Sequence, residues 1–165
     1  MRECSIILII TPDGNEVLLG IKHDKGATYI GHWLAPSETG KPWEKNPWKT
    51  ARRGLKEEAK GAIATDLRHV GTVELIFEGQ PDRNRMLSIF RTPITGWPKN
   101  GRELRDFRWF KVDDLPDTWP DGRFWMRRAA LHQDIEPFGL RITMPAEPVF
   151  QVRRFKPQPI QEATA

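Results

Sequence analysis

The chain has 165 residues, with 26 lysines and arginines against 22 aspartates and glutamates, a net charge of +4 and a pI near 9.4. That length suits one domain whose core closes without a structural metal, and the lone cysteine, Cys4, excludes an internal disulfide and makes a reducing, cytoplasmic setting the default. No run approaches the roughly 20 apolar residues of a membrane-spanning helix, so no membrane partner is expected, and the basic residues are dispersed instead of massed, which favours a mildly basic surface over a dedicated nucleic-acid groove.

Residues 3 to 10 form a β-branched run, and Thr11-Pro12-Asp13-Gly14 after it is a turn signal. The apolar stretch from Ile6 to Ile10 is too short for a signal peptide and has no small-residue cleavage site, so it reads as a strand. Glu16 to Lys22 returns as a second strand, broken by His23-Asp24-Lys25-Gly26. Gly31 to Leu34 is short and aromatic, and Ala35 to Gly40, with proline, serine and glycine, reads as a loop.

The following segment, from Gly40 to Gly61, is a loop running into a helix. Asn46 is a candidate N-cap, and Pro47 suits the first helical position, where no amide hydrogen is needed. Trp48, Ala51, Leu55, Ala59 and Ala62 recur at steps of three and four and make one apolar stripe. Positions 54, 57 and 58 share another face, which carries the adjacent carboxylates Glu57 and Glu58. Read plainly, these sit among Arg52, Arg53, Lys56 and Lys60 on a solvated helix. Read chemically, close oxygen ligands on a rigid rod suit a hard divalent cation.

Further on, Leu67 to Glu78 is strand-like, Gln80 to Asn84 is a turn, and Met86 to Thr92 pairs back as a hairpin. Trp97 to Gly101 is loop. Asp106 to Val112 is a strand with Arg108, Phe110 and Val112 on one side and Phe107 and Trp109 on the other. Pro120-Asp121-Gly122 starts a second helix to about His132, with Asp121 as its candidate cap. Leu140 to Met144 and Val149 to Phe155 complete the strands of a single domain over residues 1–155. Residues 156–165, with two prolines and no aromatic, read as a flexible tail. The composite is an α/β sandwich of α+β type, a mixed sheet between helices.

Arg53-Gly54-Leu55-Lys56-Glu57-Glu58 resembles the core of the Nudix box, G-x5-E-x7-R-E-U-x-E-E-x-G-U with U a bulky aliphatic. Three departures mark it as degenerate. Gly54 stands where the family has its first helix glutamate, the span from Gly40 to Arg53 is one residue short, so that Glu44 fits the loop glutamate only with a gap, and the closing glycine falls one place late at Gly61. Phe77-Glu78-Gly79-Gln80-Pro81, Glu103-Leu104-Arg105, Trp109-Phe110 and Trp119-Pro120-Asp121 keep the order of one subfamily, that of the hydrolases of oxidised purine nucleoside triphosphates.

The resemblance implies a Nudix-type hydrolase of phosphoanhydride bonds dependent on Mg²⁺ or Mn²⁺. It implies Glu57, Glu58 and Glu103 as metal ligands or base, and Arg53 as the residue that pairs with the loop glutamate. It also implies a base pocket at Trp119 and Asp121, helped by Phe77, with Leu34 in place of a base-reading asparagine and Gly122 in place of a second aspartate. By their own residue types Phe77 and Trp119 are equally core aromatics. Lys22 and Lys41 are candidate phosphate contacts, although lone lysines near glycines are usually surface residues. The rival reading, motivated by Gly54 and the altered pocket, is a Nudix-fold protein that binds a nucleotide, nucleic acid or protein without hydrolysing it. Glycine in mid-helix costs about 1 kcal/mol relative to alanine, so something must favour it, and a bulky substrate or partner approaching there is the expectation.

Overall fold

An apolar run with no alternation belongs in the middle of a sheet, covered on both faces, and the first strand, β1 (Arg2–Ile10), lies there. In the computed structural model, which describes residues 1–24, 28–144 and 151–162, Ile6 to Ile10 are all buried. The other strands are β2 (Glu16–Lys22), β3 (Trp33–Leu34), β4 (Ser37–Thr39), β5 (Ile63–Ala64), β6 (Arg68–Phe77), β7 (Arg85–Thr92), β8 (Ile94–Thr95), β9 (Leu104–Lys111), β10 (Phe138–Met144) and β11 (Gln151–Phe155). Nine of them form one mixed sheet, ordered β11-β10-β6-β7-β1-β2-β3, with β4 added on β1 and β9 on β2; β5 and β8 make a separate pair. The β1–β7 and β6–β10 pairings are parallel.

Two helices cover the two faces. Helix α1 (Pro47–Glu58) sets Trp48, Ala51 and Leu55, with Ala59 after it, against Ile7, Ile9, Leu18, Phe90 and Phe107. Helix α2 (Gly122–Ala130) sets Trp125, Met126, Ala129 and Ala130 against Ile6, Leu8, Val73, Leu87 and Ile89. Successive residues of a strand point to opposite faces, so odd and even positions of β1 feed separate cores. The same alternation holds in β9, where Phe107 and Trp109 join the α1 side and Phe110 joins the α2 side. No helix among the described residues is long and apolar enough to cross a membrane.

The start of α1 follows its sequence: Asn46 Oδ1 accepts from Trp48 N at 2.9 Å, and Pro47 opens the helix. The start of α2 does not. Asp121 occupies the N-cap position with helical dihedrals and makes no capping bond; its Oδ2 accepts from Trp125 Nε1 at 2.7 Å instead. The buried indole needs an acceptor, and the carboxylate one turn away supplies it. The expected loop over Ala35 to Gly40 contains β4, held by pairing of Ser5 with Glu38 and Ile6 with Ser37.

Residues 156–162 have no helix or strand and lie along α1. Pro157 is buried, Trp48 Nε1 donates to Ile160 O at 3.4 Å, Asn46 Nδ2 donates to Gln161 O at 3.3 Å, and Arg52 pairs with Glu162. Lys25 and Gly26, Val149 and Phe150, and residues 163–165 fall outside the described residues.

Two predictions follow from local interactions. Asn46→Ala removes both the cap of α1 and the contact to Gln161, and is expected to cost about 1 kcal/mol, a fall of roughly 2–4 °C in Tm. His69 packs 5.3 Å from the Phe90 ring, and burial holds its imidazole down at about 4. The fold therefore disfavours the protonated ring. Its contribution is complete above the ordinary histidine value of about 6.5 and is lost as pH falls from there towards 4, by on the order of 2 kcal/mol. Unfolding titrations in urea at pH 7 and pH 4.5 should show that loss in the parent chain and less of it in His69→Phe.

Candidate active site

Strand β1 has two neighbours on one side: Ile9 and Ile10 pair with β2, whereas Cys4, Ser5 and Ile6 pair with β4. The sheet splits there, and the two candidate subsites lie at the split. Alternation along β4 directs Ser37 to the α2 face with Ile6, and Glu38 to the α1 face with Ser5, whose Oγ donates to Pro47 O of α1 at 2.9 Å.

On the α2 face is a cleft of about 360 Å³, lined among others by Tyr29, Ser37, Phe77, Arg83, Trp119 and Asp121. Phe77 and Trp119 are both partly buried against the core, so each serves as core and cleft wall together. The Arg83 guanidinium stands 4.5 Å from the centre of the Phe77 ring. Burial pushes the Asp121 carboxyl above the usual carboxylate range, with the bond from Trp125 as a partial offset. Leu34, proposed from the resemblance as a pocket residue, is 5% exposed, packs in the core under α1 and does not line the cleft. Its pairing opposite Gly20 of β2 turns the side chain inward. Tyr29 and Arg83 are cleft residues that the sequence reading missed; a sole tyrosine and a turn arginine carry no spacing signal.

On the α1 face is an acidic corner built from three elements. Helix α1 brings Glu57 and Glu58, β4 brings Glu38, and the β2–β9 wing brings Lys22 and Glu103, joined by an ion pair of 2.7 Å. Glu58 is 8% exposed, and its Oε2 is buried with no hydrogen-bond donor. Its carboxyl is pushed up to about 7, first by burial, then by the charges of Glu103 and Glu38, with Lys22 opposing them. Glu57, one residue and about 100° further round the helix, is exposed and borders a groove with Arg52, Lys56 and Lys60. Lys41 is exposed, with its ammonium 5.7 Å from the Trp43 ring and its backbone N donating to Glu44 Oε2 at 3.4 Å.

Arg53 is clamped between two carboxylates, with Nη1 3.0 Å from Glu38 Oε2 and Nη2 2.7 Å from Glu44 Oε2. Glu44 also accepts from Thr50 Oγ1 at 2.9 Å, and the Arg53 bond foremost holds its carboxyl below the usual range. The Arg53–Glu44 pair is the one the resemblance implied, reached in spite of the short loop. The neighbour that favours glycine at 54 is the chain itself. A methyl group there would stand 3.0 Å from Glu38 Cβ and 3.3 Å from Ile7 Cδ1, so the close approach of β4 takes the space expected for a substrate or partner.

An orphaned, buried carboxylate oxygen beside Glu38 and Glu103 fits a hard cation, which would supply the missing partner. Among the described residues, as their side chains stand, no group of three or more His, Cys, Asp or Glu is gathered closely enough to ring an ion.

The fold is similar to several solved structures. The mutator MutT protein of Bacillus halodurans matches with a TM-score of 0.70 at 22% identity, over 96% of this chain and 100% of its own. A MutT NUDIX hydrolase of Burkholderia pseudomallei matches with a TM-score of 0.60 at 20% identity, over 79% and 95%. An ADP-ribose pyrophosphatase of Streptococcus suis matches with a TM-score of 0.57 at 17% identity, over 85% and 97%. At such identities the likeness establishes the fold alone, and the search of curated proteins found no match. The NUDIX domain model matches residues 1–130, most of the 165-residue chain, and the chain belongs to the Nudix family.

Proposed function

We propose that this Nudix-type hydrolase of phosphoanhydride bonds acts on a nucleoside triphosphate-like substrate, releasing a nucleoside monophosphate and pyrophosphate with Mg²⁺ or Mn²⁺ as cofactor. One observation carries the reading: the unpartnered Oε2 of Glu58 lies in an acidic corner joined by a single short strand to an aromatic cleft. Glu58 and Glu103, with Glu57 from the solvent side, are the side chains to hold the ion, which supplies charge neutralisation at the phosphate oxygens and an acidified water. Arg53 holds the loop carboxylate Glu44 in place and so keeps the segment before α1 against the helix.

Substrate binding falls to the cleft. Trp119 and Phe77 offer faces for a base, and Asp121 offers its carboxyl group at a base edge. With Leu34 in the core and glycine at 122, Asp121 is the single carboxylate of the corner that the resemblance assigns to base reading. Discrimination between bases should therefore differ from that of a pocket with an amide and two carboxylates. Lys22, held by its bond to Glu103, keeps two further ammonium donors for a phosphate. The single cysteine suits a reducing, cytoplasmic setting. Gly54 favours a second reading, a nucleotide-binding protein without turnover.

Incubation with a panel of nucleoside triphosphates and their oxidised forms, in Mg²⁺ or Mn²⁺, should release monophosphate and pyrophosphate. Glu58→Gln is expected to slow this by roughly 10²-fold or more. No release from any member of the panel, or turnover unchanged in Glu58→Gln, overturns the hydrolase reading; saturable nucleotide binding that survives EDTA without product favours the second. Trp119→Ala should weaken substrate binding by roughly 1–3 kcal/mol and act on KM more than on kcat, if the ring stacks on the base.

A further inference from the structure

We infer that Glu38 supplies from β4 the carboxylate that α1 lacks at position 54, so that the acidic corner keeps its oxygen donors with one of them moved from helix to strand. This rests on the reading that the corner binds a divalent cation.

The geometry makes the two positions interchangeable. Glu38 is paired with Ser5, faces α1, and sets its Cβ 3.0 Å from where a Cβ at position 54 would stand. A side chain at 54 would press on Glu38, and β4 would have to give way by a few tenths of an ångström to admit it. Gly54 and Glu38 are therefore two halves of one arrangement, in which the cost of a mid-helix glycine is offset by what the strand brings.

Charge points the same way. The carboxylates at this corner are Glu38, Glu44, Glu57, Glu58 and Glu103, and the cations are Lys22 and Arg53. Five negative groups against two positive ones leave the corner with an excess of negative charge. Lys22 is paired with Glu103, and Arg53 is shared by Glu38 and Glu44, so the buried carboxylate left without a cation is Glu58, 8% exposed and with Oε2 unpartnered. Glu38 Oε1 accepts from Thr39 N at 3.0 Å and Oε2 from Arg53 Nη1 at 3.0 Å. Each oxygen keeps a second lone pair for a ligand, and the two bonds hold the side chain still.

A competing role is purely structural, with Glu38 as nothing more than a second anchor for Arg53. Mn²⁺ binding to the full chain without nucleotide, read by the loss of the free-ion EPR signal, separates the two. Glu38→Gln should weaken binding by about tenfold or more, whereas Glu44→Gln, which removes the other Arg53 partner, should weaken it by less than about threefold on the same scale. Glu38→Gly should lose binding as Glu38→Gln does, and combining it with Gly54→Glu should restore affinity to within about threefold of the parent. Melting curves establish that each variant is folded. If Glu38→Gln binds Mn²⁺ like the parent, if Glu44→Gln loses as much as Glu38→Gln, or if the folded double variant binds no better than Glu38→Gly, the assignment falls and the hydrolase reading stands. If the parent chain itself binds no Mn²⁺, both fall together.

Discussion

The close packing of β4 on α1 is the contact on which the rest of the site depends. A helix and a strand normally keep a side chain's width between them. Here Gly54 removes the helix side chain, and the Cβ of Glu38 comes within 3.0 Å of where it would have been. That approach is locked from the side by Arg53, whose two terminal nitrogens reach Glu38 on the strand and Glu44 on the loop. An arginine fork shared by two carboxylates fixes orientation as well as distance, which a lysine could not do. One residue with no side chain and one with a planar cation together set the angle between helix and strand.

Such an arrangement is costly for the folded chain. Glu58 is held in a poorly hydrated place near Glu103 and Glu38, and its carboxyl is raised to about 7, burial being the foremost cause. Folding alone would be better served by an apolar side chain there. The adjoining face carries Ala51 and Leu55 into the core, so the helix is anchored by packing and can tolerate one costly position near its end. The corner reads as a place where stability is given up for chemistry.

Much of this was legible in the chain. The unbroken apolar run of β1, the Asn46-Pro47 start of α1 and the alternation in β9 are local signals, and each element formed where its residues placed it. The failures share one physical cause, which is that a distant partner decided the outcome. Ser37 to Thr39 is too short and too polar to signal a strand by itself and becomes β4 by pairing with β1. Asp121 looks like a cap, yet the buried indole of Trp125 claims its carboxylate. Leu34 aligns with a pocket position, but the register opposite Gly20 turns it into the core. Residues 157–162 carry no helix or strand signal and lie on α1 because Trp48 and Asn46 have donors to satisfy. Gly54 is the sharpest case: along the chain it is a missing carboxylate, and only in space does its replacement stand next to it.

The split of the sheet explains why the aromatic cleft and the acidic corner sit so close. While β1 pairs with β2 over Ile9 and Ile10, its other partner β4 begins only where β2 has moved away. A strand of three residues is enough to present one side chain to each face. Ser37 borders the aromatic cleft and Glu38 borders the acidic corner, one peptide unit apart. The β2–β9 wing then closes over the corner with Lys22 and Glu103. A ligand with a base at one end and phosphates at the other has to cross β4 to reach both subsites. The separation of the two subsites is set by one strand, whose successive residues point to opposite faces of the sheet, and not by the conformation of a long loop.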